Sequence, residues 1–215
     1  MTAFRSVVLD VDSTVSALEG IDWLAEQRDG AVAALVAALT ADAMEARVPI
    51  DAVYGRRLDI IRPTRVEIEA LGHVYIATAL PGVRDAVRCW LDAGVHVTLV
   101  SGGLRDALLP LAAWLGLDAR DVHAVDVEYA DDVAWRVRSP SPLAMRGGKP
   151  QVVAALQLAG PVLAVGDGAT DADLAPVVDR FLAFTGVARR PAVVAAAAGE
   201  VSSFAALTPI VLGEP

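Results

Sequence analysis

Asp10 and Asp12 stand two residues apart at the end of the apolar run Val7-Val8-Leu9. On an extended backbone, residues i and i+2 point to the same side. Two like charges delivered to one spot call for a cation, a shared proton or both, which makes that spot a candidate for chemistry. The structural alternative is a turn and helix cap, for which Asp12-Ser13-Thr14 is equally suited.

Three further stretches carry comparable signals. Val95–Val100 reads as a strand running into Ser101-Gly102-Gly103; a hydroxyl followed by glycines at a helix start would offer backbone N–H donors to a phosphate oxygen, or would simply be a tight connection. The run 161–165 leads into Gly166-Asp167-Gly168-Ala169-Thr170-Asp171, two carboxylates four residues apart among glycines. A hard cation such as Mg²⁺ takes oxygen donors, and Asp10 and Asp167 are suitable ones. Lys149 follows Gly147-Gly148 where a helix begins. A cation there opposes the helix dipole unless something anionic lies close.

The elements that must position these residues alternate. Strand-like runs at 5–10, 95–100, 161–165, 180–184 and 209–212 are separated by helical patterns at Pro81–Ala93, Leu104–Leu115 and Pro150–Leu158. The alternation predicts an α/β fold, a Rossmann-like parallel sheet flanked by helices, with ligands bound beyond the carboxyl ends of the strands. Residues 15–77 interrupt it. They read as four helices in series, the last opened by the capping-box pattern Thr64-Arg65-Val66-Glu67. This predicts a core of residues 1–14 and 78–215 with a helical cap at 15–77. A smaller insertion at about 122–147 has the pattern of a β-hairpin, with Val125, Val127 and Tyr129 answered by Val133, Trp135 and Val137.

Composition narrows the partners. The chain has 215 residues, 55% of them hydrophobic, yet no apolar run reaches the roughly 20 residues of a bilayer span, so no membrane partner is expected. A net charge of −9 argues against nucleic acid, whose binders carry a basic face. The single cysteine, Cys89, excludes an intramolecular disulfide and suits a reducing cytoplasm; its neighbours Val83, Val87, Trp90 and Leu91 predict that it is buried. The first strand starts almost at the first residue, so no signal peptide is expected. His73, His96 and His123 are scattered without ligand spacing and are expected to pack or face solvent. Cys89 lacks the arginine of a Cys-x5-Arg loop, no Arg-His-Gly occurs, and Pro150 stands where a P-loop needs Ser or Thr.

Taken in order, strand-Asp-x-Asp, strand-Ser, Lys and strand-Gly-Asp-x-x-x-Asp resemble the motif series of the haloacid-dehalogenase-like phosphatases. Within them the chain is similar to the phosphoserine phosphatase family, through Asp10-Val11-Asp12-Ser13-Thr14-Val15, Glu19-Gly20-Ile21-Asp22, Ser101-Gly102-Gly103, Gly147-Gly148-Lys149 and Gly166–Asp171. The resemblance implies a Mg²⁺-dependent phosphatase acting on a small phosphorylated substrate, O-phospho-L-serine foremost. Asp10 would be the nucleophile and Asp12 the general acid and base. Asp10, Asp167 and the backbone carbonyl of Asp12 would hold the metal. Asp171 would orient waters or Lys149, and Lys149, Ser101 and Gly102 would meet the phosphoryl group. Glu19 matches the family residue for the substrate ammonium, Arg57 that for its carboxylate, and Met44 and Thr170 other substrate-binding positions. Glu45 and Ile50 depart from the family pattern, which has a glycine and an aromatic there. Two other readings stay open: a related phosphatase or phosphotransferase with another substrate, and a phospho-aspartate receiver domain. A homodimer is also left open.

Overall fold

The computed structural model describes residues 3–44, 47–48, 50–129, 135–137 and 141–214. The chain opens with β1 (Ser6–Leu9), followed by four helices: α1 (Gly20–Glu26), α2 (Gly30–Met44), α3 (Ile50–Ile61) and α4 (Arg65–Ala77). After them come α5 (Val83–Asp92), β2 (His96–Leu104), α6 (Arg105–Leu115), β3 (Val122–Val125), β4 (Val127–Tyr129) and β5 (Trp135–Val137). The remainder is α7 (Gly148–Leu156), β6 (Val162–Gly166), α8 (Ala169–Ala172), β7 (Arg180–Phe184), α9 (Pro191–Ala196), β8 (Glu200–Val201) and α10 (Phe204–Leu212).

Six strands form one parallel sheet in the order β3-β2-β1-β6-β7-β8. Val7, Val8 and Leu9 are all buried, as a central parallel strand covered on both faces requires. From β1 the chain winds outward through β2 to β3; from β6 it winds the other way. The reversal lies between β1 and β6, and a crevice opens there beyond the strand ends. Leu9 is level with Val165 and with Leu99, so the segments after Leu9, Val165 and Val100 emerge side by side. That register is what brings three distant motifs together.

The helical run 15–77 leaves and rejoins the sheet at one place. Val15 O accepts from Leu80 N at 2.9 Å, Ala17 N donates to Thr78 O at 3.0 Å, and the hydroxyls of Ser16 and Thr78 lie 2.7 Å apart. The capping box at Thr64 forms: the Thr64 side chain accepts from Glu67 N, and Glu67 reaches back to Thr64 N.

Four local expectations change. Residues 209–212 are the last turn of α10, not a strand. Ser203 caps that helix, and Phe204, Leu207 and Val211 bury one face; a four-residue apolar run cannot distinguish the two. Strand β2 continues through Ser101-Gly102-Gly103 to Leu104, so no nest of donors forms at a helix start there; its register shifts between Val100 and Leu104. Residues 122–125 belong to the main sheet as β3, and only β4 and β5 pair as the small antiparallel ribbon. Cys89 is exposed, because α5 buries Val83, Ala86, Val87 and Trp90 and Cys89 falls beside that stripe. Glu45 and Val133 lie outside the described residues, as do the side chains of Met44 and Ile50.

Candidate active site

Asp10 follows β1 and Asp167 follows β6, on either side of the topological switch. Asp171 sits in α8, directly after Asp167. Their carboxylates each place one oxygen within 4.8 Å of the others, and all three residues are buried. Gly166 makes this approach feasible: a Cβ there would lie 2.2 Å from Asp171 Cγ. Thr14 Oγ1 donates to Asp167 at 3.2 Å, and Gly168 N donates to Asp171 at 3.0 Å.

Lys149, in the first turn of α7, reaches into the cluster. Its Nζ is 2.8 Å from Asp10 and 2.6 Å from Asp171. Burial alone would depress the Lys149 ammonium, but the charges of Asp10 and Asp171 outweigh it and hold it up. Burial, with Asp10 nearby, pushes Asp171 up to about 7 even against Lys149. Arg190, at the start of α9, pairs with the Asp167 carboxylate and lies 3.9 Å from Glu19. Two cations thus face three buried carboxylates and Glu19. A donor set made only of hard oxygens with surplus negative charge fits a divalent ion.

The Asp12 carboxylate turns away from this cluster. Its Oδ1 accepts from Tyr75 Oη at 2.6 Å and from Gly20 N at 3.3 Å. Burial, and then the charge of Glu19, raises Asp12 well above the usual carboxylate range, against the pull of the Tyr75 hydrogen bond. The Tyr75 hydroxyl is also pushed well up by burial and by Asp12, so the phenol stays protonated and donates. Asp10 and Asp12 therefore occupy different electrostatic settings although they share one strand end.

Ser101 is fully buried and its Oγ accepts from Gly103 N at 3.0 Å. Gly102 accepts from Tyr54 Oη at 2.7 Å. Ser13 Oγ donates to Glu19 at 2.7 Å, and burial raises Glu19 against that bond. Arg57 is 3% exposed. Its Nη1 donates to Thr40 at 2.8 Å, and Thr40 donates to Asp22 at 2.5 Å. Its Nε is buried without a hydrogen-bond partner.

A single cavity is lined by Asp10, Asp12, Glu19, Arg57, Ser101, Gly102, Lys149, Asp167 and Thr170. Asp171 lies behind it in the carboxylate cluster, and the Met44 side chain lies outside the described residues. Asp22, Thr40 and Tyr54 also line this cavity, and with Tyr75 and Arg190 were not singled out from sequence. The signal for Arg190 was present: a cation ahead of Pro191 at a helix start is the same pattern that marked Lys149. The tyrosines gave none, since an aromatic at helical spacing reads as core.

The haloacid dehalogenase-like hydrolase family matches residues 7–176. The phosphoserine phosphatase of Bos taurus is 33% identical over 185 residues, 84% of this chain and 81% of that protein. The chloroplastic phosphoserine phosphatase of Arabidopsis thaliana is 31% identical over 209 residues, 94% of this chain and 70% of that one. A phosphoserine phosphohydrolase-like protein from Francisella tularensis shares the fold at TM-score 0.88 and 21% identity, over 96% of this chain and 99% of that chain. A substrate-bound phosphoserine phosphatase superposes at TM-score 0.77 with 21% identity, over 93% of each chain. The chain belongs to the phosphoserine phosphatase family of the haloacid dehalogenase-like hydrolases.

Proposed function

We propose that this chain is a Mg²⁺-dependent phosphomonoesterase that hydrolyses O-phospho-L-serine to L-serine and phosphate through an aspartyl-phosphate on Asp10. The observation that carries the reading is one cavity lined by Asp10, Asp167 and Lys149 together with Glu19 and Arg57. Lys149 and a cation on the carboxylates suit a phosphoryl group. Glu19 and Arg57 suit an ammonium and a carboxylate on the same small molecule.

Asp10, Asp167 and the backbone carbonyl of Asp12 would hold the Mg²⁺, with Asp171 keeping Lys149 in place. The bound ion supplies positive charge that stabilises the phosphoryl oxygens. Asp10, paired with Lys149, attacks phosphorus; the bond to the serine oxygen breaks, and Asp12 gives that oxygen its proton. Asp12 then takes a proton from water, the hydroxide attacks phosphorus, and the bond to Asp10 breaks to release phosphate. Lys149, the Ser101 hydroxyl and Gly102 N–H bond the phosphoryl oxygens as their charge shifts. Helices α1–α4, residues 15–77, act as a cap that carries Glu19 for the ammonium and Arg57 for the carboxylate, with Met44 and Thr170 completing the pocket. Supporting the substrate is the Arg57 Nε, buried and unpartnered, since a charged donor left so gains from any carboxylate that reaches it. A cytoplasmic setting accords with the single cysteine.

The test is phosphate release from a panel of esters with and without Mg²⁺, and with homoserine as a competing acceptor. O-phospho-L-serine is expected to give the highest kcat/KM, abolished by chelation. Stronger turnover of another ester would replace the substrate, transfer to homoserine would indicate a phosphotransferase, and a long-lived phospho-aspartate with no ester turnover would indicate a receiver.

A further inference from the structure

Tyr75 lies on α4, a helix that carries none of the residues that the family motifs single out, and it is completely buried. Its hydroxyl ends on Asp12 Oδ1 at 2.6 Å. The fit around the Tyr75 hydroxyl oxygen is tight. A Cβ on Gly20 would lie 2.0 Å from it, and one on Gly103 would lie 3.4 Å away. Gly20 N reaches the same Asp12 oxygen at 3.3 Å. Oδ1 is therefore held by two donors, while no donor among the described residues takes Oδ2, and Asp12 lines the cavity.

We propose that Tyr75 is a positioning residue for the phosphatase reaction, fixing the Asp12 carboxyl by Oδ1 so that Oδ2 is presented to the ester oxygen that leaves. The proposal rests on Asp12 carrying that proton. A carboxyl free to rotate would spend part of its time with neither oxygen aligned, and misplacement by about 1 Å can cost about 10²-fold in rate. Tyr75 also makes the arrangement depend on the helical insertion. With α4 drawn away from Gly20, Asp12 would lose its stronger anchor.

The closing experiment compares two leaving groups. The serine alkoxide needs a proton as it departs, whereas p-nitrophenolate leaves unprotonated, and kcat/KM reports the step in which it leaves. Tyr75→Phe removes one oxygen atom. It is expected to lower kcat/KM for O-phospho-L-serine about 10- to 100-fold and for p-nitrophenyl phosphate less than about threefold. In an Asp12→Asn background, where no proton is available, Tyr75→Phe is expected to add no further selective loss. Tyr75→Met keeps an apolar chain in the same space and carries the same expectation should the phenylalanine variant not fold. Equal losses on the two esters, or no loss on either, would overturn the proposal. If the wild type prefers a different alkyl phosphate, the comparison is made with that ester. The substrate reading then fails while the Tyr75 result still decides its own question.

Discussion

Replacing Arg57 by methionine should separate recognition of the substrate carboxylate from the phosphoryl chemistry. Arg57 is packed beneath Tyr54, with its guanidinium carbon 5.4 Å from the ring centre, and is tied through Thr40 to Asp22. Those contacts fix the plane of the guanidinium before substrate arrives, so little ordering is left for binding to oppose. Two charge-assisted hydrogen bonds to a carboxylate contribute about 1.5–3 kcal/mol each, and about 1.4 kcal/mol is a factor of ten. Arg57→Met is therefore expected to lower kcat/KM for O-phospho-L-serine roughly 10²- to 10⁴-fold. Phosphoethanolamine keeps the phosphate and the ammonium but has no carboxylate, and its kcat/KM should change less than about threefold. Arg57→Lys should recover only part of the loss, because an ammonium cannot reproduce the planar two-donor grip. The assay is steady-state phosphate release on both esters, with Tm recorded because Asp22 loses a neighbouring cation. An equal fall on the two substrates would refute the assignment and make Arg57 a structural partner of Asp22.

Two further outcomes are expected. Lys149→Met leaves Asp10 and Asp171 facing each other without their shared cation, and breaking such a buried pair costs about 3–5 kcal/mol. Metal-free protein should melt earlier by that margin, and added Mg²⁺ should raise Tm more in the variant than in the wild type; an unchanged melt would contradict the pairing. On α4, Glu67 is held down to about 2 by its hydrogen bond with Arg28, against the opposing effect of burial and with further help from the Thr64 backbone and side chain. Its folded-state value lies below the ordinary glutamate range, so its stabilisation is present at neutral pH and lost as pH falls from about 4.5 through about 2. The pair is partly exposed and screened, so about 1 kcal/mol is expected. Glu67→Gln should lower Tm by about 2–4 °C at pH 7 and by progressively less as pH falls toward 2, measured by thermal melts across that range.

The parallel sheet was legible because its strands are unbroken apolar runs ending in polar residues. The order of the motifs on those ends carried the chemistry. What could not be read was which strands are neighbours: Asp10 meets Asp167 because β6 returns beside β1, a fact of topology that spacing along the chain does not contain. Residues 209–212 read as a strand because Pro209-Ile210-Val211-Leu212 shows no period over four residues, whereas the cap at Ser203 marks the helix that contains them. A cation at the start of a helix marks Lys149, and Arg190, ahead of Pro191, carries the same mark. Tyr54 and Tyr75 had no such mark. Their hydroxyls matter because of partners 48 and 63 residues away, and only the folded chain brings those partners within reach.

The central claim is that Asp10 carries the phosphoryl group. Enzyme quenched in acid during turnover of O-phospho-L-serine should carry one phosphoryl group on the peptide containing Asp10, and none in Asp10→Asn, which should fold and release no phosphate. A phosphoryl group mapped to another residue, or turnover retained by Asp10→Asn, would contradict it.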